Sequence, residues 1–211
     1  MKRIDLLDYC RFFAAISVLL LHYTFGGITN GKVHSITHIE GLIEFTKYGY
    51  LGVEFFFMIS GFVIFFSALN RSATEFAISR ATRLYPSFWF ALLFTSSFTL
   101  LWGGDTFKIW PSLFLTNLTM VSPLFGRGFV DGVYWTLVYE ISFYSAVFCI
   151  LLMGYQKKLV QIFILWPYLQ LFAWYTGYSH LPFLGNYYCF FSAGALFAIL
   201  LNDKSKRTWL S

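Results

Sequence analysis

Apolar residues dominate six stretches of the chain, each near the length a helix needs to cross about 30 Å of hydrocarbon. They are residues 6–25, 48–69, 84–102, 133–153, 160–175 and 187–201, the last two being the shortest. No Gly-, Ser- or Pro-rich linker divides the chain, and no internal repeat is evident. The pattern therefore predicts an all-α fold: one membrane domain over residues 1–211, a polytopic transmembrane helix bundle of about six spans.

Polar residues interrupt these stretches at few points, which makes each informative. The first span carries Asp8, Arg11 and His22. At roughly 100° per residue, the steps from Arg11 to His22 return to within about 20° of one helix face, some 16 Å apart along the axis. Glu54 lies within YLGVEFFFMISGFVIFFSA and Glu140 within GVYWTLVYEISFYSAVF. A charged group at such depth is costly, so it is expected to face a bundle interior or wet cavity, to be protonated, or to meet a cation. The bland alternative is an interhelical hydrogen bond or ion pair that only fixes packing.

Composition confirms the class. Hydrophobic residues make up 58% of the chain and charged residues 12%, against about a quarter charged in soluble domains. A net charge of +5 could suggest a nucleic-acid partner, but the basic residues are spread between apolar spans and form no single patch, so none is expected. Their placement fits orientation instead. Of the 15 Lys and Arg, only Lys32, Lys47, Lys108 and Arg127 fall on the side away from the N-terminus. By the positive-inside rule both termini are expected in the cytoplasm, with His22, Glu54 and Glu140 nearer the outside, where they would share a polar cavity. Acidic residues early in the chain, with no small-residue cleavage site, argue against a cleavable signal peptide.

The three cysteines, Cys10, Cys149 and Cys189, lack paired spacing and read as buried small hydrophobes rather than a disulfide or zinc framework. In the loop 26–47, His34, His38, Glu40 and Glu44 hint at a metal cluster, but no strong helix organises them; a solvated loop is expected, and no metal. Residues 111–121 are too short to span and suit an interfacial or re-entrant piece. Asn117-Leu118-Thr119 matches a glycosylation triplet, a pattern frequent by chance. Ser60-Gly61 is a small pair suited to close helix approach. The inner loop 70–83 carries Arg80 and Arg83, three apart, and Pro86 follows near the start of the next span. The arginines either anchor a helix end to headgroups or form a guanidinium fork for phosphates.

Four segments in order, RIDLLDYCRFFAAISVLLLHY, GVEFFFMISGFVIFF, FAISRATRLYPSFW and YWTLVYEISFY, resemble the acyltransferase 3 family of integral membrane acyltransferases. The resemblance covers about residues 3–144. It implies acyl transfer, expected to be acetyl, from cytoplasmic acyl-CoA to a hydroxyl of an extracytoplasmic, cell-envelope or exported carbohydrate. Arg11 and His22 match the family's first-helix pair, Arg80 and Arg83 its cytoplasmic arginines, and Glu54 and Glu140 its acidic positions. On that reading His22 is the general base, and Glu54 or Glu140 orients it or stabilises its cationic form. Arg80 and Arg83 hold the donor's phosphates, and Arg11 lines the pantetheine path. No bound cofactor is expected, acyl-CoA (acetyl-CoA) being a substrate, and direct transfer is favoured over a covalent acyl-enzyme. The expected setting is a bacterial inner, cytoplasmic membrane. Family members typically have about ten helices. A chain with six is expected to be truncated at its C-terminus, a fragment, or a compact variant with a partner supplying helices.

Two other classes compete with this reading. Intramembrane Arg, His and Glu can also line a small-molecule or proton-coupled transporter, and an inactive bundle could retain the motifs for packing alone. Label transfer from acyl-CoA that depends on acceptor separates the enzyme from both.

Overall fold

A computed structural model describes residues 5–29, 39–69, 71–104 and 108–202. The described residues are helical with short connections. In chain order they form α1 (Asp5–Leu21), α2 (Gly27–Thr29), α3 (Glu40–Thr46), α4 (Leu51–Ala68) and α5 (Ala73–Trp102). There follow α6 (Pro111–Asn117), α7 (Trp135–Leu152), α8 (Leu159–Tyr175) and α9 (Tyr188–Asn202). All six expected apolar stretches are helical. Four segments, Leu6–Thr29, Glu40–Ala68, Ala73–Trp102 and Gly132–Leu152, are long and apolar enough to cross a membrane. With 17 and 15 residues, α8 and α9 reach only about 25 Å and 22 Å, short of the hydrocarbon thickness if upright. Orientation rested partly on basic residues near both ends that lie outside the described residues.

The chain divides into two compact units, residues 1–66 with 158–211, and residues 67–157. In the first, Phe57, Ile64 and Phe65 of α4 are buried with Leu159 and Phe163 of α8 and Phe191 and Ala195 of α9. Glycine lets α4 and α9 touch backbone to backbone. A Cβ added to Gly61 would lie 2.8 Å from the Phe191 carbonyl carbon, and one added to Gly194 would lie 2.8 Å from that of Met58. This is the close approach that the Ser60-Gly61 pair suggested. Across the α8–α9 loop, Trp166 Nε1 and Gln170 Nε2 donate to the Phe183 carbonyl at 2.7 and 3.2 Å. Ser192 Oγ donates to Gln170 Oε1 at 2.8 Å, so the buried amide is satisfied on both sides.

In the second unit, the stretch expected as an inner loop is instead the first three turns of α5. The cause is local: Ser72 and Glu75 form a capping box, with Glu75 N–H donating to Ser72 Oγ at 3.2 Å and Ser72 N–H donating to Glu75 Oε2 at 2.9 Å. Pro86 consequently lies inside the 30-residue helix rather than at its start, and leaves the Thr82 carbonyl without its helical partner. Phe88, Leu92, Met120 and Tyr134 form the core here. Beside them, residues 111–134 fold around Asn117, which is 1% exposed. Its amide nitrogen donates to the carbonyls of Leu113 (2.8 Å) and Gly128 (3.2 Å), and its oxygen accepts from Val130 N–H at 3.2 Å. A buried amide so engaged is closed to glycosylation in the folded chain, whatever its triplet suggests.

Cys149 and Cys189 are exposed and Cys10 half-exposed, against the expectation of burial. A small apolar group at a helix surface can meet lipid as readily as a core.

Candidate functional site

The candidate residues fall into two sets, Arg11, His22 and Glu54 in the first unit and Arg80, Arg83 and Glu140 in the second.

In the first set, His22 opens a single π-helical turn, His22–Gly26, at the end of α1. Such turns are rare and recur at functional sites, because the inserted residue redirects side chains that a regular helix would stack. The imidazole is exposed. The turn is tethered to α3: Thr24 Oγ1 donates to Thr46 Oγ1 at 2.7 Å, and Thr46 Oγ1 donates to the Leu42 carbonyl at 3.0 Å. Arg11 pairs with Asp8 one turn before it, at 3.5 Å. Apolar depth thus holds a near-neutral pair rather than an isolated cation.

Contacts between α1 and the start of α4 give their register. Thr24 meets Thr46, Gly49 faces Ser17 and Leu21, and Gly52 faces Ala14 and Val18. The two segments run antiparallel, which puts Glu54 near the level of Ala14. That level is about 12 Å along the axis from His22 and nearer Arg11. Glu54 also lies within electrostatic reach of the Cys189 thiol at the start of α9. The structure therefore does not bring Glu54 to the imidazole it was expected to orient.

The second set is tighter. Arg80 sits against two rings, its guanidinium carbon 6.0 Å from the centroid of Phe76 and 6.0 Å from that of Tyr144. The rings themselves meet edge to face, 6.4 Å apart at 85°. Arg80 Nη2 donates to Ser67 Oγ at 3.1 Å, while its Nε is buried with no hydrogen-bond partner. The Tyr144 hydroxyl donates to Glu140 Oε1 one turn away on α7. Tyr144 therefore stands between an acid, Glu140, and two cations, Arg80 and Arg83, all within electrostatic reach. Arg83 is exposed, and Arg71 adds a third positive charge near Arg80.

The register of α5 and α7 corrects one expectation. Phe76 and Arg80 meet Tyr144, and Phe88 meets Tyr134 at 5.0 Å, so the helices run antiparallel. Glu140 then lies level with residues 82–83, beside the arginine pair from which it was expected to be separated. Sequence alone set Glu140 apart from the arginine pair because residues 70–83 were treated as loop. Tyr144 was legible in principle, since Glu140 and Tyr144 are four apart on one helix. Arg71 was counted only towards topology. Ser67 carried no sequence signal.

Elsewhere, Glu40 and Glu44 are exposed, and His34 and His38 lie outside the described residues. Among the described residues no group of three His, Cys, Asp or Glu side chains is placed to hold a metal ion.

A helical membrane protein with an arginine–tyrosine–carboxylate cluster packed between two long helices, and a histidine on a π-turn, is the class these features define. Comparison with known proteins narrows it. The acyltransferase 3 family, described as an acyltransferase domain, matches residues 4–211. Nodulation protein 10 of Rhizobium leguminosarum bv. viciae is 26% identical over 156 residues, covering 65% of this chain. The match spans 41% of that relative's length. No solved structure matches. The chain belongs to the acyltransferase 3 family.

Proposed function

We propose that this chain is the acyl-transferring part of a multi-pass O-acyltransferase of a bacterial cytoplasmic membrane, with both termini on the cytoplasmic side. It would move an acyl group, in its simplest form acetyl, from acyl-CoA to a hydroxyl of an extracytoplasmic carbohydrate. The family match over residues 4–211 carries this reading. The residues supply chemistry that fits it. His22, exposed and held on its π-turn, is the general base: it takes the proton as the acceptor oxygen attacks the thioester carbonyl, and CoA leaves as the thiolate. Arg71, Arg80 and Arg83 give the donor's phosphates a concentrated counter-charge. Arg11, already paired with Asp8, is suited to the donor's uncharged pantetheine arm rather than to its phosphates.

The test uses the full protein in membranes with radiolabelled acetyl-CoA. Acceptor-dependent label transfer, lost in a correctly inserted His22→Ala variant, supports the reading. Transfer undiminished in His22→Ala removes the base assignment. Passage of solute or protons across vesicles without any transfer replaces the enzyme with a transporter.

A further inference from the structure

The Arg80 side chain is an unusual member of a phosphate fork. One guanidinium nitrogen is committed to Ser67, another is buried, and the guanidinium carbon lies 6.0 Å from the ring centroids of both Phe76 and Tyr144. Phe76 itself is 0% exposed, so this is a packed position. Arg83, three residues on, is exposed, and among the described residues its side chain makes no such hydrogen bond or ring contact. The two arginines that the sequence offers as equivalents are in different chemical situations.

Tyr144 explains what Arg80 is packed for. Its ring faces the Arg80 guanidinium and its hydroxyl donates to Glu140. A cation near a phenol ring strengthens the phenol as a donor, so the charge of Arg80 reaches the carboxylate through one side chain. All three residues sit at nearly one level of the α5–α7 pair.

We propose that Arg80 and Tyr144 are positioning residues that hold the Glu140 carboxylate, and that Arg83 is the member of the pair that meets donor phosphate. The positioning role in turnover rests on the acyl-transfer reading above; the coupling itself does not. Glu140 is then fixed in orientation before the donor arrives, and mutation of either arginine disables the protein for a different reason.

The experiment separates these reasons. The carboxylate stretch of Glu140 is isolated in the infrared spectrum of the full protein in nanodiscs by subtracting the Glu140→Gln spectrum. Coenzyme A affinity is measured on the same samples. Tyr144→Phe keeps the ring on Arg80 but removes the hydroxyl. The band should shift in Tyr144→Phe and in Arg80→Met and stay in place in Arg83→Met. Coenzyme A affinity should fall at least about tenfold in Arg83→Met, the size expected of a lost charge-assisted contact, and stay within about twofold in Tyr144→Phe. Should Arg80→Met fail to insert, Arg80→Gln, which also removes the charge but keeps a polar end for Ser67, reads the same band. A Glu140 band unmoved by Tyr144→Phe or by the Arg80 variant overturns the coupling. Equal loss of coenzyme A affinity in Tyr144→Phe and Arg83→Met overturns the division of labour. In transfer assays, Tyr144→Phe should lower kcat about tenfold with the donor KM unchanged. A wild-type protein with no transfer at all refutes the enzyme reading, while the infrared comparison still decides the coupling.

Discussion

Gly61→Ala is the substitution whose outcome follows most directly from the geometry. The added methyl would lie 2.8 Å from the Phe191 carbonyl carbon and 2.9 Å from its Cα, against a preferred carbon–carbon separation of about 3.5–4.0 Å. These are backbone atoms and cannot rotate away, so α4 and α9 must part by about 1 Å. A gap of that size costs a flanking side chain a quarter to a half of its dispersion contacts, or about 1–1.5 kcal/mol each. Two rings meet at this crossing, Phe57 and Phe191, with centroids 4.8 Å apart. The loss is therefore about 2–3 kcal/mol, within the usual range for overpacking. Alanine returns about 1 kcal/mol as the better helix former, leaving a net 1–2 kcal/mol. For a chain of this size that lowers the thermal midpoint by about 2–8 °C. The assay is a thermal melt of purified protein in one detergent. Gly41→Ala serves as the control: no heavy atom lies within 4 Å of its added Cβ, so helix propensity alone should hold or raise the midpoint. A Gly61→Ala protein that melts at or above the wild type refutes the backbone contact. Gly194→Ala should behave alike, and the double variant should fall short of the sum, because the helices part only once.

Other outcomes follow from polar contacts. Asn117→Leu removes the partner of Val130 N–H and of the Gly128 carbonyl, both part-buried contacts, at about 0.5–1.5 kcal/mol for each bond; faster hydrogen exchange and proteolysis confined to residues 118–134 would report it. Ser72→Ala removes half of the capping box and should cost about 1 kcal/mol, seen as a lower midpoint and lost amide protection at residues 73–76. Thr46→Val keeps the shape of the side chain but breaks its hydrogen bond to Thr24. If the π-turn positions His22, kcat for transfer falls severalfold at unchanged donor KM, and Thr46→Ser restores it; equal loss in both variants points to packing alone.

Much of the fold was legible because hydrocarbon imposes a simple rule: long apolar runs become helices, and all six did, although among the described residues only four are long enough to cross. The three-residue spacing of Asp8 and Arg11 also allowed their ion pair, although the sequence reading related Arg11 only to His22. What failed depended on where helices begin and on register between helices. The Ser72–Glu75 box is a sequence signature, yet charged residues on both sides of it resemble a loop, and that misreading set both the depth of Arg80 and the expected place of Glu140. Glu54 was likewise assigned to His22's level by counting from a membrane surface, whereas Gly49 and Gly52 set the actual register against α1. The π-turn at His22 had no sequence signal, and the Thr24–Thr46 hydrogen bond that ties it to α3 joins residues 22 apart in the chain.

The length of α5 bears on the lipid as well as on the protein. Thirty residues of unbroken helix extend about 45 Å, some 15 Å more than the hydrocarbon of an average bilayer. The surplus must be absorbed by tilt, by overhang, or by thickening of the membrane around it. Because α7 lies level with roughly the first half of α5, any change in tilt raises or lowers Arg80, Arg83 and Glu140 together relative to the headgroups. Bilayer thickness thereby becomes a physical control on how deep the cationic cluster sits, and the same polypeptide can present it at different depths in thin and thick membranes.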